Sequence, residues 1–96
     1  MSDKIYQPPK TLKNPHIENV DEYAVMYKES IENPETFFGN AALQNLSWSQ
    51  PFTSVHNNEF AEAKWFEGGK LNIAFNCIDR HLEKYADKTA LIWEGD

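Results

Sequence analysis

Cys77 and His81 stand four residues apart, a spacing that lets both side chains reach one metal ion or act as a nucleophile and its base. Zinc would need at least one or two further ligands, and His16 and His56 are not spaced to supply them. A nucleophile and base also need a third, orienting group, and none is evident. The expectation is therefore a buried thiol beside a hydrogen-bonded core histidine, since an unsatisfied buried donor costs about 1–3 kcal/mol. Gly68-Gly69-Lys70 has the letters of a phosphate loop. The first glycine of that motif would fall on Lys64, and no Ser or Thr follows Lys70, so a turn is expected. Arg80, the sole arginine, could hold a carboxylate or phosphate in a bidentate grip. Its expected place is a polar helix face, paired with Glu83 three residues on. Asn45-Leu46-Ser47 fits the glycosylation acceptor pattern, which has no meaning without a secretory signal.

These residues are positioned by the stretch Leu71–Asp96. Asn72 is a good N-cap, because its side chain can accept from free N–H groups of the first turn. Ile73 to Ala86 contains no Gly or Pro. At about 100° per residue, Cys77, His81, Ala74, Tyr85, Ile78, Leu82 and Phe75 share one face. Asp79, Glu83, Asn76, Arg80 and Lys84 share the other. This predicts one amphipathic helix with Cys77 and His81 inward and Arg80 outward. Asp87 and Lys88 make a turn, and Thr89 to Trp93 suits a buried strand. That strand lacks sufficient neighbours in 96 residues, so it is expected to be exposed or poorly ordered in the chain alone.

Upstream, residues 1–20 hold Pro8, Pro9 and Pro15 and few apolar side chains, which reads as an extended arm or a disordered tail. Asp21 to Glu32 predicts a first helix capped by Asp21, with Tyr23, Met26, Tyr27 and Ile31 on one face. A second helix follows at once, with Asn33 as cap candidate, Pro34 in the first position, and Phe37, Phe38 and Ala41 inward. Gly39 is out of place there, at about 1 kcal/mol against alanine. Leu46 to Val55 fits an edge strand or loop, because Pro51 cannot donate to a ladder. Lys64 to Leu71 predicts a hairpin around Glu67-Gly68-Gly69-Lys70.

Ninety-six residues allow at most one small domain, with residues 21–96 as that domain and 1–20 as its arm. The fold class expected is α+β, mostly helical: three helices, one hairpin and a last strand. Net charge of −6 argues against nucleic-acid and anionic-membrane partners, and no run of 18 apolar residues exists to span a bilayer. The start, MSDKIYQPPK, has no apolar signal core, and one cysteine permits no intrachain disulfide. A reducing, cytoplasmic setting is expected.

The run W-F-E-G-G-K-L-N-I-A-F-N-C-I-D-R-H-L, Trp65 to Leu82, with D-K-T-A-L-I-W-E-G-D, Asp87 to Asp96, resembles the N-terminal region of acetyl-coenzyme A synthetases. These are AMP-forming acetate–CoA ligases of the adenylate-forming superfamily. The run Y-x-x-x-Y-K-x-S-I-x-N-P-E-T-F-F-G, Tyr23 to Gly39, is similar to the same family. Two departures stand out: Phe38 where the family commonly has Trp, and a shorter connection after Asn58. Within the matching region Trp65, Asn72, Cys77, Asp79, Arg80, His81 and Trp93 form a structural signature.

The resemblance implies a ligase that makes acetyl-AMP from acetate and ATP and then passes the acetyl group to CoA. It also implies that the phosphate loop, the acetate and adenine pocket and the catalytic lysine lie downstream of the matched region. ATP, Mg2+ and CoA are thus implied for a complete enzyme, and no catalytic, cofactor-binding or metal-binding residue is assigned to this chain. The first expectation is an inactive N-terminal fragment whose partner is the remainder of the ligase body. The alternatives are a free-standing, non-catalytic docking domain and a fragment of a propionyl-CoA synthetase. The reading frame beyond Asp96 separates a fragment from a free-standing domain.

Overall fold

The computed structural model describes residues 4, 6, 7 and 9–96. It is a small α+β piece, mostly helical, as expected. The chain divides into two compact units, residues 1–34 and 35–96.

The first unit is dominated by helix α1, Val20–Glu32. Its cap is Asn19 rather than Asp21. The Asn19 side chain accepts the Glu22 N–H at 2.9 Å, and the Glu22 carboxylate in turn accepts the Glu18 N–H at 2.7 Å. Asp21 is left in the first turn, where its charge complements the helix dipole. Tyr23 and Tyr27 share a face, as the spacing predicts, and stack at 6.1 Å. Upstream, the Leu12 N–H donates to the Pro9 carbonyl, so the arm makes a turn at Lys10–Thr11 instead of running straight. Residues 1–3, 5 and 8 of the expected arm lie outside the described residues.

Helix α2, Pro34–Asn45, starts at the expected proline. Asn33 closes α1, its N–H donating to the Glu29 carbonyl. Gly39 and Ala42 are the buried residues of α2, in place of the expected Phe37, Phe38 and Ala41. The reason is the partner: Val55, itself buried, lies so near Gly39 that a Cβ there would meet Val55 Cγ2 at 3.1 Å.

The hairpin is larger than the one predicted within Lys64–Leu71. Strand β2, Trp65–Glu67, pairs antiparallel with β1, Ser54–His56, in the register Ser54 with Glu67 and His56 with Trp65. The connection between them is built around Asn57. Its side-chain oxygen accepts from Glu59 N and Lys64 N, while its amide donates to the Glu62 carbonyl. The glycine turn does form, with Gly68 at φ 77° and the Gly69 N–H on the Phe66 carbonyl. It kinks the strand without reversing it. Past the turn Lys70 rejoins the same neighbour, exchanging backbone hydrogen bonds with Gln50 at 2.9 and 3.1 Å. Phe66, at φ 52°, adds to this bulge.

The predicted helix over 73–86 is broken. Helix α3 spans Ile73–Cys77, a 3-10 turn spans Asp79–His81, and helix α4 spans Leu82–Tyr85. In a continuous helix the Asn76 carbonyl would accept the Arg80 N–H. Here it accepts the Arg80 side-chain Nε–H at 2.8 Å instead, and the His81 N–H turns to the Ile78 carbonyl. The arginine thus competes with its own backbone, and the ladder tightens. Thr89 to Trp93 forms no strand, having no neighbour to pair with among the described residues. Leu91 and Ile92 are each 90% exposed and Trp93 is 88% exposed, in keeping with the exposure expected of that segment.

Candidate functional site

The side chains that converge in residues 35–96 do so around the end of α2. A helix terminus leaves its last carbonyls without intrahelical donors, and α2 has no basic residue in its last turn. Side chains add donors there, one from the helix itself and two from beyond it. The Asn45 amide donates to the Ala41 carbonyl at 2.8 Å and the Trp48 indole N–H to Ala42 at 3.1 Å. The Asn45 carbonyl accepts from Arg80 Nη2 at 2.8 Å. A guanidinium at this position also faces the negative end of the helix dipole.

Asn76 completes the junction. It is 5% exposed and the only buried polar residue among those described. Its side-chain oxygen accepts the Ser47 N–H at 2.7 Å, and its amide donates to the Ser47 and Asn72 carbonyls, both at 2.9 Å. It therefore pairs with the Ser47 backbone as a neighbouring strand would. Its own placement follows from α3, whose N-cap is Asn72 as predicted, the side chain accepting the Phe75 N–H at 2.9 Å.

This arrangement departs from the expected faces at Asn76 and Cys77. Asn76, placed outward by the helical wheel, is buried, while Arg80, exposed as expected, still reaches backbone carbonyls. Cys77, placed inward, is exposed, and His81 is half-buried. Arg80 binds backbone carbonyls and stands 3.4 Å from the Ser47 hydroxyl, in place of the expected Glu83 pairing. A polar pair at i and i+4 is the sequence signal for this contact, but it is indistinguishable from a solvated face until the Ser47 backbone is in view.

Cys77 and His81 do line one groove, together with Leu82, Tyr85 and Ala90. No third metal-ligating group joins them among the described residues. His81 Nε2 accepts from Arg80 Nε at 3.3 Å, so its acceptor nitrogen is already engaged. Tyr85, at the same groove, has its hydroxyl held below the ordinary tyrosine value by a hydrogen bond and charge from Lys84, with a smaller contribution from Lys88. Asp79 opens the 3-10 turn, exposed, near Trp48 and Phe75. Trp93 lies against Gly95.

The hairpin carries an aromatic cluster. Trp65 meets the His56 ring at 4.3 Å and Phe38 edge-on at 5.4 Å. Phe66 joins Phe52 at 5.1 Å and Trp48 at 5.8 Å. Such contacts contribute packing, about 0.5–1.5 kcal/mol per aromatic pair. The glycine turn is sealed by this cluster: a Cβ on Gly69 would meet the Trp48 ring at 2.6 Å. The N–H groups of Gly69 and Lys70 are both bonded to backbone carbonyls, so they offer no cradle for phosphate. These residues do not fit magnesium–ATP.

A family profile described as the acetyl-coenzyme A synthetase N-terminus matches residues 23–77, which takes in most of α1, then α2, the hairpin and α3. The chain belongs to this family. Among individual relatives, an acetyl-coenzyme A synthetase of a gamma-proteobacterium, EBAC31A08, is 56% identical over 96 residues, all of this chain and 15% of the relative. Acetyl-coenzyme A synthetase 2 of Pseudomonas aeruginosa is 48% identical over 80 residues, 81% of this chain and 12% of its own length. The Dictyostelium discoideum acetyl-coenzyme A synthetase is 44% identical over 94 residues, 96% of this chain and 14% of its own. The chain thus spans about one seventh of the acetyl-coenzyme A synthetases it matches. No helix among the described residues is long and apolar enough to cross a membrane.

Proposed function

We propose that this chain is the N-terminal piece of an AMP-forming acetate–CoA ligase and that its role there is structural. Residues 21–96 serve as the entrance to the ligase body, and residues 1–20 as an arm. The carrying observation is 56% identity along the whole chain to a protein of which it covers 15%. In this reading the remainder of the polypeptide is the partner and supplies the sites for acetate, ATP, Mg2+ and CoA. The setting is cytoplasmic. The residues of this chain do one thing toward that activity: Asn76 and Arg80 tie the end of α2 and the Ser47 backbone to the α3 segment.

The test has two parts. The coding sequence after Asp96 continues into a ligase body, and the polypeptide expressed to its natural end catalyses acetate-dependent ATP–pyrophosphate exchange. Residues 1–96 alone show no exchange. Exchange by the short chain, at any rate above a no-protein control, overturns the assignment of a purely structural role.

A further inference from the structure

The segment from Ile73 to Tyr85 has one face already occupied and one face open. On the occupied side, Asn76 and Arg80 bind the backbone at Asn45 and Ser47. On the other, Ile78, Leu82 and Tyr85 are about half exposed or more, and their groove runs to Ala90, just before the exposed Leu91 and Ile92. Single exposed apolar residues are ordinary, whereas a contiguous set marks a contact surface.

We infer that Arg80 is a positioning residue: by tying the helical segment to the end of α2, it sets the angle at which the Ile78–Leu82–Tyr85 face is presented to the polypeptide that follows residue 96. This rests on the reading above, that the chain continues as a ligase. The relatives provide the length for that occupant, since the matched region is only 12–15% of each. Its chemistry is fixed by the surface. The occupant must be apolar where it meets Leu82 and Tyr85. It must also offer main-chain partners to Thr89–Trp93, whose alternate side chains, Ala90 and Ile92 against Leu91 and Trp93, are apolar toward both sides.

Arg80 suits this role because its grip is geometric. Its Nε and Nη2 donate to two carbonyls on different elements, Asn76 and Asn45, each at 2.8 Å. A lysine ammonium can satisfy one of them but cannot reproduce the planar fork. The same grip accompanies the break at Ile78, whose backbone leaves the helical region at φ −124° and ψ −69°. Loss of Arg80 removes both the tether and the competitor for the Asn76 carbonyl.

The experiment compares amide exchange in the polypeptide expressed to its natural end, as wild type and as Arg80→Met, Arg80→Lys, Leu82→Asp and Glu83→Gln. Wild type protects Leu82, Tyr85 and Leu91 at least tenfold more than residues 1–96 alone. Arg80→Met lowers that protection at least tenfold while Val55 and Phe66 in the hairpin keep theirs. Arg80→Lys restores it only in part, and Glu83→Gln, an exposed change, leaves it unaltered. Protection at Leu82 and Leu91 within twofold of wild type in Arg80→Met overturns the proposal. If Arg80→Met also exposes the hairpin, Arg80→Lys decides for the positioning role, once Leu82→Asp has lowered protection at Leu91 and so shown the face to be covered. Leu82→Asp lowers protection at Tyr85 and Leu91 with the Ser47 amide still protected, and no change there overturns the proposal equally. Failure of the ligase reading is separate: it shows as absent ATP–pyrophosphate exchange in wild type, whatever the protection pattern.

Discussion

Arg80 donates to the carbonyl of Asn45, 35 residues earlier, at 2.8 Å. A cation contributed from a distant segment thereby caps a helix that has no basic residue in its own last turn. With Asn76, the contact explains why part of the polar side of an amphipathic stretch meets the protein.

Asn76 is the residue on which this orientation depends. Asn76→Asp keeps the size but replaces two donated hydrogen bonds, to Ser47 and Asn72, by a carboxylate facing carbonyls. The expected loss is about 2–3 kcal/mol, in the range for a buried polar group left unpaired. Urea denaturation of the chain measures it, and a loss below about 0.5 kcal/mol contradicts the structure.

Gly69→Ala tests the seal of the turn. The added methyl would sit 2.6 Å from the Trp48 ring and 3.0 Å from the Phe66 carbonyl. Overpacking of this kind costs about 1–3 kcal/mol. The change also displaces Trp48, so tryptophan emission shifts together with the unfolding midpoint.

Cys77 and His81 can be separated from metal chemistry directly. The exposed thiol is expected to react with a disulfide reagent in the native chain at a rate within a few-fold of that in denaturant. His81→Ala costs no more than about 1 kcal/mol, because its one hydrogen bond is long and partly exposed. Stoichiometric zinc in the purified chain, lost in His81→Ala, is the result that restores a metal site.

Leu91 and Ile92 are expected to exchange their amide hydrogens close to the unfolded rate in residues 1–96 alone. Both are 90% exposed, and no strand among the described residues lies beside them. Strong protection at either position shows that the segment has a partner within these residues.

Local chemistry was readable from the residues. Pro34 starts α2, Asn72 caps α3, and Gly68 takes the positive φ of the turn, each for a reason contained within four residues. Partner choice was not. Trp65–Glu67 looks like half of a tight hairpin, yet pairs across a connection organised by Asn57. The wheel over 73–86 correctly sorted apolar from polar side chains. It could not tell which side is covered, because periodicity reports the composition of a face and not what lies against it. The break at Ile78 was equally hidden, since it arises from the Arg80 side chain displacing an N–H from the Asn76 carbonyl.

The junction of Asn45 and Ser47 with Asn76 and Arg80 encloses the whole hairpin between its two ends, at separations of 29 and 35 residues. Closing so long a loop gains no hydrogen bond until both ends are present. During synthesis, then, α2 and the hairpin can form while the clasp cannot, until Arg80 itself has been added and released. A nascent chain halted between Lys70 and Asp79 would carry a finished sheet attached to a helix whose last carbonyl still awaits its donor.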